Sequence, residues 1–127
     1  MRRPRIPVLA LVADMVAVVV FAAIGRAGHA EAASVAGLVA TAAPFLAGLV
    51  ATWATPWVRS APAGLRAGGI VVVGTVALGL LLRFAFLGRL PLSFAIVTTI
   101  SLAVLLLGWR AVAAVVSHRQ RRHTPAR

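Results

Sequence analysis

The chain contains no cysteine, tyrosine, lysine or asparagine, and only two of its 127 residues, Asp14 and Glu31, are acidic. Without cysteine there is no disulfide, no thiolate nucleophile and no sulfur-ligated metal. Of the three histidines, His29 stands alone while His118 and His123 fall near the C-terminus, so a single chain cannot assemble a zinc site of three or four ligands. Paired carboxylates, a phosphate-cradling glycine loop and a G-x-S-x-G elbow are all missing, and Gly68-Gly69 reads as the start of a helix. The sequence therefore predicts neither an enzyme nor a cofactor.

What fills the chain instead is hydrocarbon: 61% of residues are hydrophobic and 12% charged, with a mean hydropathy of +1.00. A soluble domain of this length has too little interior to bury so much apolar surface. The apolar residues lie in four runs, Ile6 to Gly25, Ala32 to Val58, Ala67 to Gly88 and Leu90 to Val116. Each reaches the roughly 20 residues that a helix needs to cross ~30 Å of hydrocarbon. The expected architecture is all-α, one membrane domain over residues 1–127, a bundle of four transmembrane helices at about 6–25, 34–57, 67–88 and 92–116 with an Arg-rich tail at 117–127. The exclusive use of arginine as the basic residue, with Ala, Val, Gly and Leu dominant, points to a high-G+C bacterium and hence to its plasma membrane.

The net charge of +11 first suggests nucleic acid, but the positions of the charges argue for topology. Arg2, Arg3, Arg5, Arg59, Arg66, Arg119, Arg121, Arg122 and Arg127 fall on one side of a four-span chain, against Arg26 and Arg89 on the other. The positive-inside rule makes the richer side the cytoplasm, with both termini there. The basic segments are also suited to anionic lipid, at about 1 kcal/mol per charge near the surface. An Arg-rich start and Ala30-Glu31-Ala32 resemble a cleavable signal, yet the first run exceeds the roughly 7 to 15 apolar residues of one. Asp14 costs about 3 kcal/mol at its centre, less than the many Ile, Leu, Val and Phe side chains there return. The segment is expected to insert and stay.

Pro4 and Pro7 mark the first helix start, and Ser34 is a candidate N-cap for the second. Pro56, Pro62 and Gly64 break the chain between spans two and three, and Gly88-Arg89-Leu90-Pro91 forms the turn between three and four. Trp53, Trp57 and Trp109 gather toward the cytoplasmic ends, as an interfacial belt would place them. Phe21-Ala-Ala-Ile-Gly-Arg26 and Phe84-Ala-Phe-Leu-Gly-Arg89 suggest two hairpins related by a parallel repeat. Span two carries Ala36, Ala40, Pro44, Gly48 and Thr52 at four-residue spacing, a small-residue stripe for a neighbouring helix or a second copy, and span three offers Thr75 and Gly79. Pro44 is expected to bend its helix.

Ionisable groups in hydrocarbon are costly enough to be functional candidates, and here they are Asp14, Arg83 and Arg110. At 1.5 Å per residue Asp14 lies roughly 2 Å inside the midplane, Arg83 roughly 7 Å toward the outside and Arg110 roughly 9 Å toward the cytoplasm. Either arginine can reach Asp14, as a register-fixing ion pair or a proton relay. Because Arg110, next to Trp109, can snorkel to the interface, Arg83 is the favoured partner and Arg110 the alternative. At the outer turn Arg26, His29 and Glu31 form a second polar cluster, an acid-base pair or a solvated loop.

Asp14, Phe21 with Ile24-Gly25-Arg26, His29, Glu31, Thr41, Pro44-Phe45, Gly48, Thr75, Gly79, Leu82-Arg83, Ser93-Phe94 and Gly108-Trp109-Arg110 stand in an order that resembles the bacterial domain-of-unknown-function 3054 family. The resemblance covers Asp14 to Arg110 and implies a small integral membrane protein, with no activity attached. The chain departs from the family pattern at Ala43, where an aromatic often precedes the Pro-Phe pair.

Charge counting selects among functions. Two arginines face one carboxylate within the spans, so the polar interior keeps a positive excess. The sequence predicts a small transporter or channel-like protein that handles an anionic or weakly acidic partner, such as an organic anion or anionic lipid, assembled as a homo-oligomer through the small-residue stripe of span two. Behind this stand an accessory subunit without its own chemistry, a proton-coupled exporter resembling the small multidrug resistance transporters, and a lipid-acting enzyme using His29 and Glu31. Arg83 and Arg110 would repel a cationic drug, and the aromatic tyrosines of such exporters are missing.

Overall fold

The computed structural model describes residues 5–26 and 35–123, and every long element in it is an α-helix. In chain order these are α1 (Arg5–Arg26), α2 (Val35–Trp53), the single turn α3 (Pro56–Arg59), α4 (Leu65–Leu87) and α5 (Leu92–His123). Four of them are long and apolar enough to cross a membrane. Their ends follow local chemistry. Proline restrains the residue before it from helical geometry, so α2 stops at Trp53 and Pro56 opens α3, earlier than the continuous run to residue 57 predicted. Gly88 takes the left-handed conformation (φ 73°) and its amide bonds the Phe84 carbonyl, closing α4. The last helix continues past the predicted 116 to His123, carrying polar and basic residues beyond its apolar part. Pro44 sits buried inside an uninterrupted α2.

The helices form a ring in which each packs on two neighbours, in the order α1, α2, α4, α5 and back to α1. Neighbours run antiparallel: Phe21 and Asp14 of α1 meet Phe45 and Trp53 of α2, while Gly48 of α2 faces Thr75 and Gly79 of α4. One end of the bundle therefore holds the start of α1 and the last turns of α5, called here the terminal end; the opposite is the turn end.

The most extensive interface is α2 against α4, and small residues create it. A Cβ on Gly48 would come within 3.2 Å of the backbone at Gly79 and Thr75. One on Gly79 would run into the Phe45 ring, and one on Gly74 into Thr52. Pro44, Gly48 and Thr52 are thus buried within the chain, where this part of the stripe seats a neighbouring helix, while Ala36 and Ala40 of the same stripe are exposed. The two halves of the apparent repeat also part company. Phe21 is buried and Gly25 helical, whereas Phe84 is exposed and Gly88 is a left-handed cap, so the matched residues do different work.

The outward faces are apolar. Val8, Val12, Val16, Leu81, Phe86, Ile96, Ile100 and Val104 are exposed along them. No water-soluble bundle presents such a surface on all sides, and it points to hydrocarbon as the surrounding medium.

Candidate functional site: two polar centres at opposite ends

The terminal end is built on Asp14. It lies on the inward face of α1, fully buried, and Arg110 from α5 is fully buried opposite it. The guanidinium grips the carboxylate in a bidentate pair: Nη1 donates to Oδ1 at 2.7 Å and Nη2 to Oδ2 at 2.8 Å. The favoured partner Arg83 is therefore replaced by Arg110. Two indoles complete the cluster, Trp53 Nε1 donating to Oδ2 at 2.9 Å and Trp109 Nε1 to Oδ1 at 2.8 Å. Four donors thus occupy the roughly four lone-pair directions of the carboxylate.

Arg110 is held with equal completeness. Its Nε donates to the Pro62 carbonyl at 3.0 Å and Nη1 also reaches the Leu106 carbonyl at 3.0 Å. The guanidinium carbon lies 4.5 Å from the centroid of the Trp109 ring. Room for its stem comes from Gly68, where a Cβ would stand 2.6 Å from Arg110 Cδ. A buried ion pair is tolerable only when the remaining donors and acceptors are served, and here they are. The lone pairs of the carboxylate are thus taken up by donors from α2 and α5.

Why did the sequence point to Arg83? Residue counts place the two arginines at similar offsets from Asp14 along the bundle, and a guanidinium beside an interfacial tryptophan can snorkel away from it. The missed signal lay in the tryptophans. Trp53 and Trp109 are not belt residues but direct their N–H groups inward; Trp57, 65% exposed, is the one placed as a belt would place it.

The turn end holds the other cation. Arg83, near the C-terminus of α4, places its guanidinium 4.2 Å from the centroid of the Phe94 ring on α5. Below it Phe94 packs on Phe45 (centroids 6.3 Å) and Phe45 meets Phe21 edge-on at 5.2 Å, so rings from α5, α2 and α1 floor this end. Two cavities open here, and both are lined by Arg83 and Thr41. One, of about 390 Å³, lies between α1 and α5 and is also lined by Gly25, Ser93, Phe94 and Thr98. The other, of about 680 Å³, is a groove between α2 and α4 lined by Ala40, Ala43, Ala47, Leu82 and Phe86 among others.

Thr98 was not singled out in the sequence. Its side chain is fully buried and its hydroxyl makes no hydrogen bond among the described residues. A helical threonine normally bonds the carbonyl four residues back, as Thr41, Thr52 and Thr99 do here. Thr75 is the second such hydroxyl, deeper in the bundle. Of the predicted outer cluster, His29, Glu31 and the Arg26 side chain lie outside what the structure describes, as does Ser34. Among the described residues no group of three metal-ligating side chains occurs.

Fold and centres together define a small all-helical bundle with four apolar helices of membrane-crossing length, in which a buried ion pair lies toward one end and arginine-lined cavities toward the other. Its family follows from sequence. Residues 11–113 match the family described as "Protein of unknown function (DUF3054)", and the chain belongs to it. No curated protein and no solved structure matches the chain.

Proposed function

We propose that this is a bacterial plasma-membrane protein, with both termini cytoplasmic, that binds an anionic or weakly acidic partner at Arg83 on the outer side. The observation that carries the reading is the division of charge. Asp14 is consumed by Arg110 and two indoles at the terminal end, while Arg83 lines two cavities at the other. The planar fork of an arginine's five N–H donors suits carboxylate or phosphate. Thr98, whose buried hydroxyl makes no hydrogen bond among the described residues, also lines the smaller cavity.

Among the described residues the one carboxylate is Asp14, enclosed by four donors, which argues against a proton-coupled cation exporter built on it. The interior between the ends is closed by Val18, Leu49, Val71, Leu102 and Leu106, all fully buried, which favours binding or carrier-type transport over an open pore.

The test is equilibrium binding and proteoliposome flux across a panel of organic anions, phosphate esters and lipophilic cations. Anion binding should fall at least tenfold in Arg83→Gln and persist in Trp57→Phe. Cation transport that survives Arg83→Gln and fails in Asp14→Asn would establish the exporter instead. Reporter fusions at residue 30 and at the C-terminus should land on opposite sides of the membrane, consistent with nine loop and terminal arginines against two.

A further inference from the structure

We infer that the cavity at the terminal end, where α2, α3 and α4 meet, is the seat of one anionic phospholipid, its phosphate at Arg66 and one acyl chain laid against the first half of α4. This site lies at the opposite end of the bundle from the Arg83 cavities and stands or falls separately from them.

The cavity, of about 640 Å³, is walled by Ala51 of α2, Trp57 of α3 and Arg66, Gly69, Val73 and Leu78 of α4 among others. Its charge is confined to one end. Arg66 and Trp57 are both exposed there, at the start of α4, and the wall beyond them toward Leu78 is apolar but for two threonines. Those are already engaged, since the Thr52 hydroxyl donates to the Gly48 carbonyl and the Thr55 hydroxyl to the Thr52 carbonyl. From Arg66 to Leu78 the wall runs roughly 18 Å along the helix, close to the ~15 Å of hydrocarbon in one leaflet.

Charge says what occupies it. The side chains of Arg66 and of Arg59, at the end of α3, make no hydrogen bond or ion pair among the described residues. The one described carboxylate, Asp14, is taken up by other donors, so the counter-charge for these arginines comes from outside the chain. At the edge of a hydrocarbon medium that counter-charge is a lipid phosphate, and an exposed indole is the residue type that sits at the same level. A zwitterionic head group would bring a further cation to two arginines that already lack an anion, which favours a head group of net negative charge. A second copy of the chain packed here about a two-fold axis would bring its own Arg66 and Arg59 toward these. Gly69 is an independent sign. Glycine weakens a helix, and at Gly68, Gly74 and Gly79 the missing side chain admits a neighbouring residue, whereas a Cβ on Gly69 would meet nothing within 4 Å. The space it leaves is part of the cavity.

The experiment uses the full chain in nanodiscs of phosphatidylcholine, into which phosphatidylglycerol or phosphatidylcholine with brominated acyl chains is titrated while tryptophan fluorescence is read. Trp57 is the reporter, and Trp57→Phe should remove the saturable part of the quenching. In the wild type the brominated phosphatidylglycerol should reach half-maximal quenching at an about fivefold lower mole fraction than the brominated phosphatidylcholine, the ordinary effect of one basic side chain on anionic lipid. Arg66→Gln should bring that ratio below about twofold, while Arg119→Gln, on α5 and away from the cavity, should leave it unchanged. Gly69→Leu should fill the cavity and weaken quenching by both lipids. A phosphatidylglycerol carrying a mid-chain diazirine should label residues within 51–57 or 69–78, which reads the chain's position without any variant.

Equal quenching of the wild type by the two lipids marks ordinary boundary lipid and overturns the site, as does a preference that Arg66→Gln leaves unchanged. A preference lost as fully in Arg119→Gln as in Arg66→Gln assigns it to the basic end as a whole and overturns it too. Labelling outside the named residues does the same. A change of oligomeric state in Gly69→Leu with the lipid preference intact assigns the cavity to a second copy. Should Gly69→Leu fail to fold, the Arg66→Gln ratio and the label decide.

Discussion

The two ends of this bundle hold the same kind of residue, an arginine within an apolar helix, and treat it oppositely. At the terminal end Arg110 is fully buried and fixed by a carboxylate, two carbonyls and an indole face. At the turn end Arg83 is partly exposed, rests on a phenylalanine and lines two cavities, with a bond-free threonine hydroxyl in the wall of one. A saturated polar cluster specifies how helices meet. A polar side chain at a cavity wall instead meets the space that neighbouring helices leave open.

The contrast is sharpened first at Asp14, where the largest effect is expected. Asp14→Ala leaves Arg110 buried without a counter-charge, and by analogy with broken buried pairs it should cost about 3–5 kcal/mol of stability, measured by thermal or denaturant unfolding in detergent. Exchanging the two charges (Asp14→Arg with Arg110→Asp) should fail to rescue, because Trp53 and Trp109 would then aim their N–H donors at a cation. A swap that restores the wild-type midpoint would mean the indole bonds contribute little.

A smaller loss is expected from Trp109→Phe, which keeps an aromatic ring beside Arg110 but removes one charge-assisted hydrogen bond to Asp14, about 1.5–3 kcal/mol. Unfolding of the variant, compared with Trp57→Phe as an exposed control, decides the point; equal midpoints would break the distinction between a clustered and a belt tryptophan.

The smallest effect belongs to the turn end. Thr98→Val replaces an unpaired buried hydroxyl with a methyl of similar shape and should leave stability unchanged or raise it by up to about 1 kcal/mol. A clear destabilisation would show that the hydroxyl has a partner within the protein and would remove it from the binding wall.

Much of this was legible beforehand, for physical reasons. Apolar runs of sufficient length can satisfy their backbones in hydrocarbon only as helices, so the four spans followed from composition alone. The turn at Gly88 and the stop before Pro56 obey local backbone rules, although the continuity of the second run concealed that stop. Which arginine meets Asp14 was not legible, because depth along the helix is readable from residue counts while rotation about it depends on how the ring closes. Gly68 shows the difference: it reads as a helix start in sequence, yet its service is to admit the stem of Arg110 from the following long helix. Likewise Thr98 is unremarked among its neighbours until the bundle buries it.

The long sequence distance across the ion pair carries a meaning for biogenesis. Asp14 and Arg110 are 96 residues apart, so the carboxylate of the first span leaves the ribosome well before its cation exists. Trp53 supplies one donor when the second span arrives, and the remaining three donor groups come with the last helix. The bond from Arg110 to Pro62 then ties down the loop that precedes the third span. Until α5 exists the acid of α1 has only the Trp53 donor, and the last described helix is what turns an incompletely served carboxylate into the centre of the bundle.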